Sequence, residues 1–205
     1  MFQFQRLGFS DLNITTQTVI IKLDVSDISL SKIHKTIAIN PKFRTKENQK
    51  FKNQYGFYVD IGDREIYCHI TRSTIGCRGC KSIMDAIKAS RIIIEYLNNY
   101  VYRGYIIPIS IQEVMTNLKF NIGEELNLKR IYNHFKDIDD YHSSYIPSYN
   151  PNLYIKHPLD DHDEKDMTIT ITRLGVITLS GRRYKYMKRI YEKFMDDLME
   201  ILPYN

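Results

Sequence analysis

The sequence predicts an α+β fold made of two similar halves, each an antiparallel sheet with a long helix packed on one side. The main observation is a repeated motif, found at residues 70–79 (ITRSTIGCRG) and again at residues 171–181 (ITRLGVITLSG). In each copy polar and apolar residues alternate, a turn follows, and the alternation resumes up to a glycine, which is typical of a β-hairpin. An amphipathic segment typical of a long helix follows each copy.

The repeat extends upstream of both hairpins. Asn40-Pro41 precedes the first hairpin and is followed by Phe43, whereas Asn150-Pro151 precedes the second and is followed by Tyr154. The spacing between paired features changes along the chain, so each copy has acquired insertions of its own. We therefore predict a pseudo-symmetric molecule, with the first repeat in residues 1–105 and the second in residues 106–205.

The first half begins with alternating residues typical of a strand, and turn residues end it. The pattern predicts a strand, a short helix, two strands joined near Gly62, and a third strand, at residues 16–25, 29–35, 57–71 and 74–78. Ser82 is placed to cap the next helix, with Asp85 three residues later as in a capping box. The apolar face predicted for that helix contains Ile83, Ile87, Ile94 and Leu97.

The second half follows the same plan, with a strand at residues 114–122 and a threonine-rich hairpin that turns at Gly175. The last helix is predicted from about Tyr184 to Leu202, with one apolar stripe made of Met187, Ile190, Tyr191, Phe194, Leu198 and Ile201. One face of the hairpin is apolar and the other is rich in hydroxyl groups. Two such halves joined edge to edge predict a curved sheet with helices on its convex side and a polar concave surface.

Composition narrows the class of protein. With 205 residues and 43% hydrophobic content the chain can bury a substantial core. It has no apolar run of membrane-spanning length, and its three cysteines without a signal peptide predict an intracellular protein. The net charge of +5 favours a polyanionic partner. We find no phosphate-binding glycine loop and no nucleophile–base pair, so we predict neither an enzyme nor a cofactor.

Several short motifs, taken in order, resemble the TATA-box-binding protein family. Residues 149–154 (YNPNLY) are similar to that family's Tyr-Glu-Pro-Glu-Leu-Phe, and residues 175–181 (GVITLSG) are similar to its Gly-Lys-Val-Val-Leu-Thr-Gly. In the first half, residues 40–43 and 22–24 resemble its Asn-Pro-Lys-Arg-Phe and Lys-Leu-Asp. The resemblance covers about residues 12–202 and is closest to the divergent factors of large DNA viruses.

This resemblance implies a saddle that binds AT-rich promoter DNA through the minor groove and inserts wedge residues that bend the duplex. The wedges correspond to Phe43 and Tyr154, with second wedges near Ile70 and Thr172. Cys68 and Gly76 would belong to the floor of the saddle. The full set of implied DNA-binding residues is Asn13, Thr15, Phe43, Ile70, Arg72, Arg78, Tyr154, Thr170, Thr172, Arg173, Thr178 and Ser180.

The resemblance also implies partners, namely a B-type general transcription factor and RNA polymerase, on a protein that is monomeric on DNA. Two segments are implied as their contact sites: Asn150, Pro151, Asn152 and Leu153, and the basic residues Arg183, Lys185, Lys188 and Arg189. Basic residues near a helix N-terminus oppose the helix dipole, which favours a role in contacting phosphates or an acidic surface. The expected location is the nucleus or, for a viral factor, the viral factory or virion.

Two other functions remain open at this point. Isoleucine and threonine at the second wedge positions, and Glu113 near the centre, favour a protein adaptor that has lost specific DNA binding. The Cys77-Arg78-Gly79-Cys80 segment raises a thiol oxidoreductase or, with Cys68 and His69, a zinc site. The acidic run at residues 160–166 is expected to be a surface loop.

Overall fold

The computed structural model describes residues 8, 12–45, 53–158, 166–182 and 184–202. These residues pack as two compact units. The N-terminal unit comprises Thr16–Val114, and the C-terminal unit combines the described residues up to Thr15 with those from Met115 onward.

The N-terminal unit contains an antiparallel sheet. Its strands are β1 (Asn13–Leu23, of which residues 16–23 belong to this unit), β2 (Phe43–Thr45), β3 (Tyr55–Asp60), β4 (Glu65–Ile70) and β5 (Thr74–Cys80). They lie side by side in the order β2-β3-β4-β5-β1. Its helices are α1 (Leu30–Thr36) and α2 (Ile83–Tyr96). A 3-10 turn at Ile37–Ile39 extends α1, and a π-helical turn at Leu97–Val101 extends α2. These bounds confirm the strands and helices predicted for the first half to within a few residues.

The C-terminal unit has the same kind of sheet. Its strands are β6 (Pro108–Asn121, of which residues 115–121 belong to this unit), β7 (His142–Ser144), β8 (Leu153–His157), β9 (Met167–Ile171) and β10 (Val176–Gly181). They lie side by side in the order β6-β10-β9-β8-β7, which repeats the order of the N-terminal unit. Its helices are α3 (Leu128–Phe135) and α4 (Tyr184–Met199). Each unit is therefore an antiparallel sheet that shares a core with helices, the architecture that the sequence predicted for each half.

Local sequence accounts for the start of the short helices. The Ser29 hydroxyl accepts a hydrogen bond from the Lys32 amide at 3.3 Å, and the Asn127 side chain accepts one from the Arg130 amide at 3.1 Å. Both are N-caps, which satisfy an amide that the first helical turn leaves free. Ser82 lies at the N-cap position of α2 but its side chain makes no capping bond.

The core face of α2 differs from the predicted one. The buried residues of this helix include Ala86, Ala89, Ile93 and Tyr96, with Leu97 directly after it, whereas Ile83 is 42% exposed. The prediction weighted the large isoleucines, but two alanines face the sheet because small side chains let a helix lie close to it. The predicted stripe of α4 is confirmed, since Met187, Ile190, Tyr191, Phe194 and Leu198 are all buried.

The strand registers show which residues of the two units correspond. Gly76, His69 and Gly56 are cross-strand neighbours in the N-terminal unit, as Thr178, Thr170 and Tyr154 are in the C-terminal unit. Counting along the strands from these rows, Gly56 is the counterpart of Tyr154. At this position the first repeat therefore has a glycine, Gly56, where the second repeat has the aromatic residue that follows its Asn-Pro turn, Tyr154.

The same count pairs Phe43 with Tyr141, the residue before β7. Phe43 is opposite Val59 and packs against Phe57 and Tyr96, with ring centroids 5.0 and 5.1 Å apart. Tyr141 packs against Phe135 at 4.9 Å and is also buried. Both aromatics close the outer end of a core, so Phe43 is a core residue and not the exposed wedge that the sequence suggested.

We expect Phe43→Ala to lower the free energy of unfolding by about 3 kcal/mol, because it removes a ring that is only 9% exposed and leaves a cavity. Urea unfolding followed by circular dichroism measures this change. Tyr149→Ala is the matched control, since Tyr149 is 89% exposed and its loss should change stability by no more than about 0.5 kcal/mol. A similarly small change for Phe43→Ala would return this ring to the surface.

Candidate nucleic-acid interface

Side chains in each strand alternate between the core and the opposite side of the sheet, which we call the open face of that unit. On the C-terminal open face, Lys119, Thr178, Thr170 and Tyr154 form one row of cross-strand neighbours. Asn117, Ser180, Thr168 and Lys156 form the next row. These side chains are half-buried or exposed, and they supply hydroxyl, amide and ammonium groups on one surface.

Tyr154 is held by the turn that precedes it. Its hydroxyl accepts a hydrogen bond from Asn150 Nδ2 at 2.9 Å, while Asn150 Oδ1 accepts one from the Asn152 amide at 3.0 Å. The adjacent Leu153 is fully buried, because it points from the same strand to the core. The structure therefore places Asn150, Pro151 and Asn152 at the surface but not Leu153, which cannot contact a partner from this position.

The ends of both hairpins are shaped by a threonine. Thr172 Oγ1 accepts a hydrogen bond from the Val176 amide at 3.1 Å, and Thr71 Oγ1 accepts one from the Thr74 amide at 3.0 Å. Thr172 is thus a turn residue rather than a wedge. Arg72 and Arg173 follow these threonines at exposed positions, and Arg173 forms an ion pair with Glu125 at 3.1 Å.

The N-terminal open face is built from different side chains. Arg78, Tyr67, Tyr58 and Arg44 form a row across four strands. The Arg44 guanidinium lies 4.2 Å from the centre of the Tyr58 ring, and the Tyr58 and Tyr67 rings are 5.2 Å apart. This row combines tyrosine rings with cations, whereas the corresponding row of the C-terminal unit contains Ser180, Thr168, Lys156 and His142.

His69 lies on the same open face, over Gly76. A Cβ atom at Gly76 would be 2.0 Å from Cε1 of the His69 ring, so the ring occupies the space that any other residue would need. Burial lowers the pKa of His69, and the nearby Arg78 charge lowers it further. The imidazole is therefore held in its neutral form at pH 7.

Two predicted positions lie on the wrong side of the sheet for DNA contact. Ile70 and Cys68 are fully buried, because both point from β4 toward α2. Ile70 pairs with Ile75, which is also buried, and is the counterpart of Ile171. The two predicted second wedges, Ile70 and Thr172, therefore do not correspond to each other, because Thr172 is one residue beyond the counterpart of Ile70.

The residues predicted near the centre make hydrogen bonds within their own units. The Thr15 hydroxyl donates to the Asn117 carbonyl at 3.1 Å, and Asn13 is exposed two residues earlier. In the N-terminal unit, the Glu113 carboxylate accepts a hydrogen bond from Nε2 of the Gln17 side chain at 2.9 Å. The Glu113 carboxylate thus has a protein donor and is not held unpaired.

The basic segment of α4 is partly described. Arg183 and the side chain of Lys185 lie outside the described residues. Lys188 is 63% exposed and 3.9 Å from Glu192, and Arg189 is exposed beside it. Surface pairs at this spacing contribute little to stability, so the Lys188 ammonium can exchange Glu192 for a partner.

Comparisons with known proteins show the fold but not a family. No family model matches the chain, and no curated protein does. Among solved structures, the chain is similar to the TBP of Methanococcus jannaschii, with a TM-score of 0.65 and 22% identity over 93% of this chain and 99% of that one. The chain has the fold of a TATA-binding protein. The predicted fold class of two such repeats is confirmed.

With this fold in place, the cysteines read as core residues. Cys68, Cys77 and Cys80 are fully buried free thiols, and Cys68 Sγ donates a hydrogen bond to Cys77 Sγ at 3.6 Å. That bond and burial raise the pKa of Cys68 well above its usual range, and burial raises the pKa of Cys80 to about 12. A redox-active cysteine needs the opposite shift, toward the thiolate.

The metal and membrane alternatives gain nothing from the part of the chain that is described. Within it, no three His, Cys, Asp or Glu side chains are grouped so that they could hold a metal ion. The acidic run is described only at Asp166, and residues 160–165 lie outside the described ranges. None of the described helices is long and apolar enough to cross a membrane.

Sequence reasoning did not identify the row on the N-terminal open face. Tyr58 and Tyr67 each alternate with core residues in their strands, and that period of two was the available signal. Lys119 and Lys156 on the C-terminal open face were also missed, although they show the same alternation with core residues. Their position next to the predicted threonines became evident only from the strand register.

The three thiols should not react with a thiol reagent such as DTNB in the native protein at pH 8, because all three are buried out of reach of the reagent and the pKa values of Cys68 and Cys80 are raised. The same reagent should modify all three in guanidinium chloride. Rapid labelling of Cys77 or Cys80 in the folded protein would revive the redox alternative.

Proposed function

We propose that this protein is a TATA-binding-protein-like initiation factor that binds AT-rich promoter DNA through the minor groove and recruits a B-type factor and RNA polymerase. It acts by binding alone and catalyses no reaction. The observation that carries the proposal is the C-terminal open face, where Tyr154 lies in the outer part of a row of hydroxyl and ammonium groups, between Thr170 and Ser144, on a sheet of this fold. The fold likeness supports the class of protein, and this face supports the ligand.

The chemistry of the C-terminal open face suits a minor groove. A·T pairs present only acceptors there, N3 of adenine and O2 of thymine, and hydroxyl groups such as those of Thr170 and Thr178 can donate to them. Lys119 and Lys156 are exposed in the two rows, where their charges can meet the phosphates on either side. Tyr154 supplies a ring at the outer part of the row, as a wedge residue requires.

The two units would not contribute equally to DNA bending. Gly56 takes the place of Tyr154 in the N-terminal unit, and Phe43 and Ile70 are core residues. We infer that the duplex is kinked mainly at the end of the site that meets Tyr154. The DNA-binding set that remains in the proposal is Asn13, Thr15, Arg72, Arg78, Tyr154, Thr170, Thr172, Arg173, Thr178 and Ser180.

The proposed partners would contact the surface around the Asn150-Pro151 turn and the basic residues of α4. The divergence of the N-terminal open face fits a factor distant from cellular relatives, as in large DNA viruses. Such a protein would act as a monomer on promoters in a nucleus, or in a viral factory or virion. Gly56 at the position of Tyr154 supplies no wedge there, which favours the second candidate, an adaptor that keeps the partner surface without sequence-specific DNA binding.

Tyr154→Ala should reduce the bend of a bound AT-rich duplex by roughly 20° or more, the smallest kink that wedge residues produce. The measurement is energy transfer between dyes at the two ends of the duplex, at two salt concentrations. Tyr154→Phe is the matched control, because it keeps the ring and removes only the hydroxyl that Asn150 contacts.

Three results would decide this test. Bending that Tyr154→Phe keeps and Tyr154→Ala loses supports a wedge. Equal bending by all three proteins contradicts the wedge. Absence of any salt-dependent duplex binding by the unchanged protein would leave the adaptor as the better explanation.

The double change Lys188→Glu and Arg189→Glu should weaken a ternary complex with the B-type factor at least about tenfold, since like charges placed against an acidic surface repel it. Gel shift with and without the factor measures both complexes. The binary complex with DNA should change less than the ternary one. A ternary complex of unchanged affinity would remove α4 from the partner surface.

A further inference from the structure

We propose that the N-terminal open face binds single-stranded nucleic acid by stacking unpaired bases on Tyr58 and Tyr67. This inference goes beyond the proposed function, which concerns duplex DNA and is carried by the C-terminal open face. It does not depend on promoter recognition. Its ligand is a nucleic-acid strand whose bases are already unpaired.

The first step is the position of the two tyrosines. They are direct cross-strand neighbours on β3 and β4, half-buried, on the side of the sheet opposite the core. An antiparallel sheet with helices on one face and aromatic residues on adjacent strands of the other is a recurring platform for two or three unpaired bases. Two tyrosines here match a platform for two bases.

The second step is that the sheet makes room for rings. A Cβ atom at Gly56 would lie 2.2 Å from the Tyr67 hydroxyl oxygen and 3.0 Å from Cζ of the same ring. The Tyr67 ring therefore leans over the backbone of Gly56, which only a glycine permits. His69 lies over Gly76 in the same way, so the face is lined by rings that lie along the sheet.

The third step is the charge that accompanies the rings. Arg44 lies at the outer end of the row, Arg78 lies on the other side of the tyrosines beside Thr18, and Lys22 is exposed two rows away beside Thr74. Glu65 pairs with Arg44, and Asp60 lies opposite Glu65 at the hairpin end of the face. The Arg44–Glu65 pair is bidentate but exposed, and a phosphate offers the guanidinium the same bidentate geometry, so a phosphate can compete with the carboxylate.

The tyrosines of this face suit an unpaired strand better than a duplex. Stacking requires access to the flat face of a base, and a base pair in a duplex covers that face with its neighbours. The Tyr67 ring lies along the sheet and cannot enter a stack as a protruding wedge does. A base that is already unstacked can lie on Tyr67 without a cost for opening the duplex, and a second can lie on Tyr58 when the Arg44 guanidinium, 4.2 Å from the centre of that ring, moves to the phosphate backbone.

The test is fluorescence anisotropy of the full chain with short fluorescein-labelled oligonucleotides of mixed sequence, as single-stranded DNA, single-stranded RNA and the matched duplex. Tyr58→Ala and Tyr67→Ala should each weaken single-strand binding by about fivefold to a hundredfold, as loss of one stacked base does. Tyr58→Phe and Tyr67→Phe should retain it. Tyr105→Ala is the matched control, since Tyr105 belongs to the same unit and is 82% exposed elsewhere.

Loss of single-strand binding in the alanine variants alone, with thermal unfolding unchanged, supports the proposal. If an alanine variant does not fold, Arg44→Gln and Arg78→Gln take its place and should weaken single-strand binding while the rings remain. No single-strand binding by the unchanged protein, or equal loss in Tyr105→Ala, overturns it. A difference between the DNA and RNA arms identifies the sugar that is bound.

This outcome is independent of the Tyr154 test. Bending of the duplex reports on the C-terminal open face, and single-strand anisotropy with the Tyr58 and Tyr67 variants reports on the N-terminal open face. Failure of one therefore leaves the other standing, and the two failures are distinguishable.

Discussion

The packing of helices against one face of each sheet is the constraint on which the remaining structure depends. Once α2 and α4 share a core with their strands, the period of two along a strand assigns every second side chain to the opposite face. That assignment makes Leu153 a core residue and Tyr154 a surface residue, although the two are neighbours in sequence. The same rule places Ile70 inside and His69 on the open face of the N-terminal unit.

The two units keep one frame and carry different surfaces. Their strand orders correspond, and their outer aromatics Phe43 and Tyr141 close the cores in the same way. The open faces have diverged because a residue on that side can change without disturbing the core. Glycine at residue 56 leaves no side chain at the position that Tyr154 has in the other unit, and it makes space for Tyr67. These two differences between the open faces thus have a single structural origin.

The Cys77-Arg78-Gly79-Cys80 segment shows how local backbone geometry changes the meaning of a motif. In a regular strand two residues three apart face opposite sides, but Gly79 has a φ of +84° and forms a bulge opposite β1. Both thiols consequently point into the core, near Cys68. The spacing that suggested redox chemistry is therefore a consequence of a bulged strand, and Arg78 between them is left on the open face.

The sequence by itself determined the internal repeat, the order of strands and helices, the capped start of α1 and the stripe of α4, because these depend on short-range periodicity. It also placed Thr170, Thr178 and Ser180 on one polar face of a hairpin. The tertiary structure alone decided the buried face of α2, the core role of Phe43 and the row from Arg44 to Arg78. Those features depend on which strands pair and in which register, and the residues that pair are far apart in sequence.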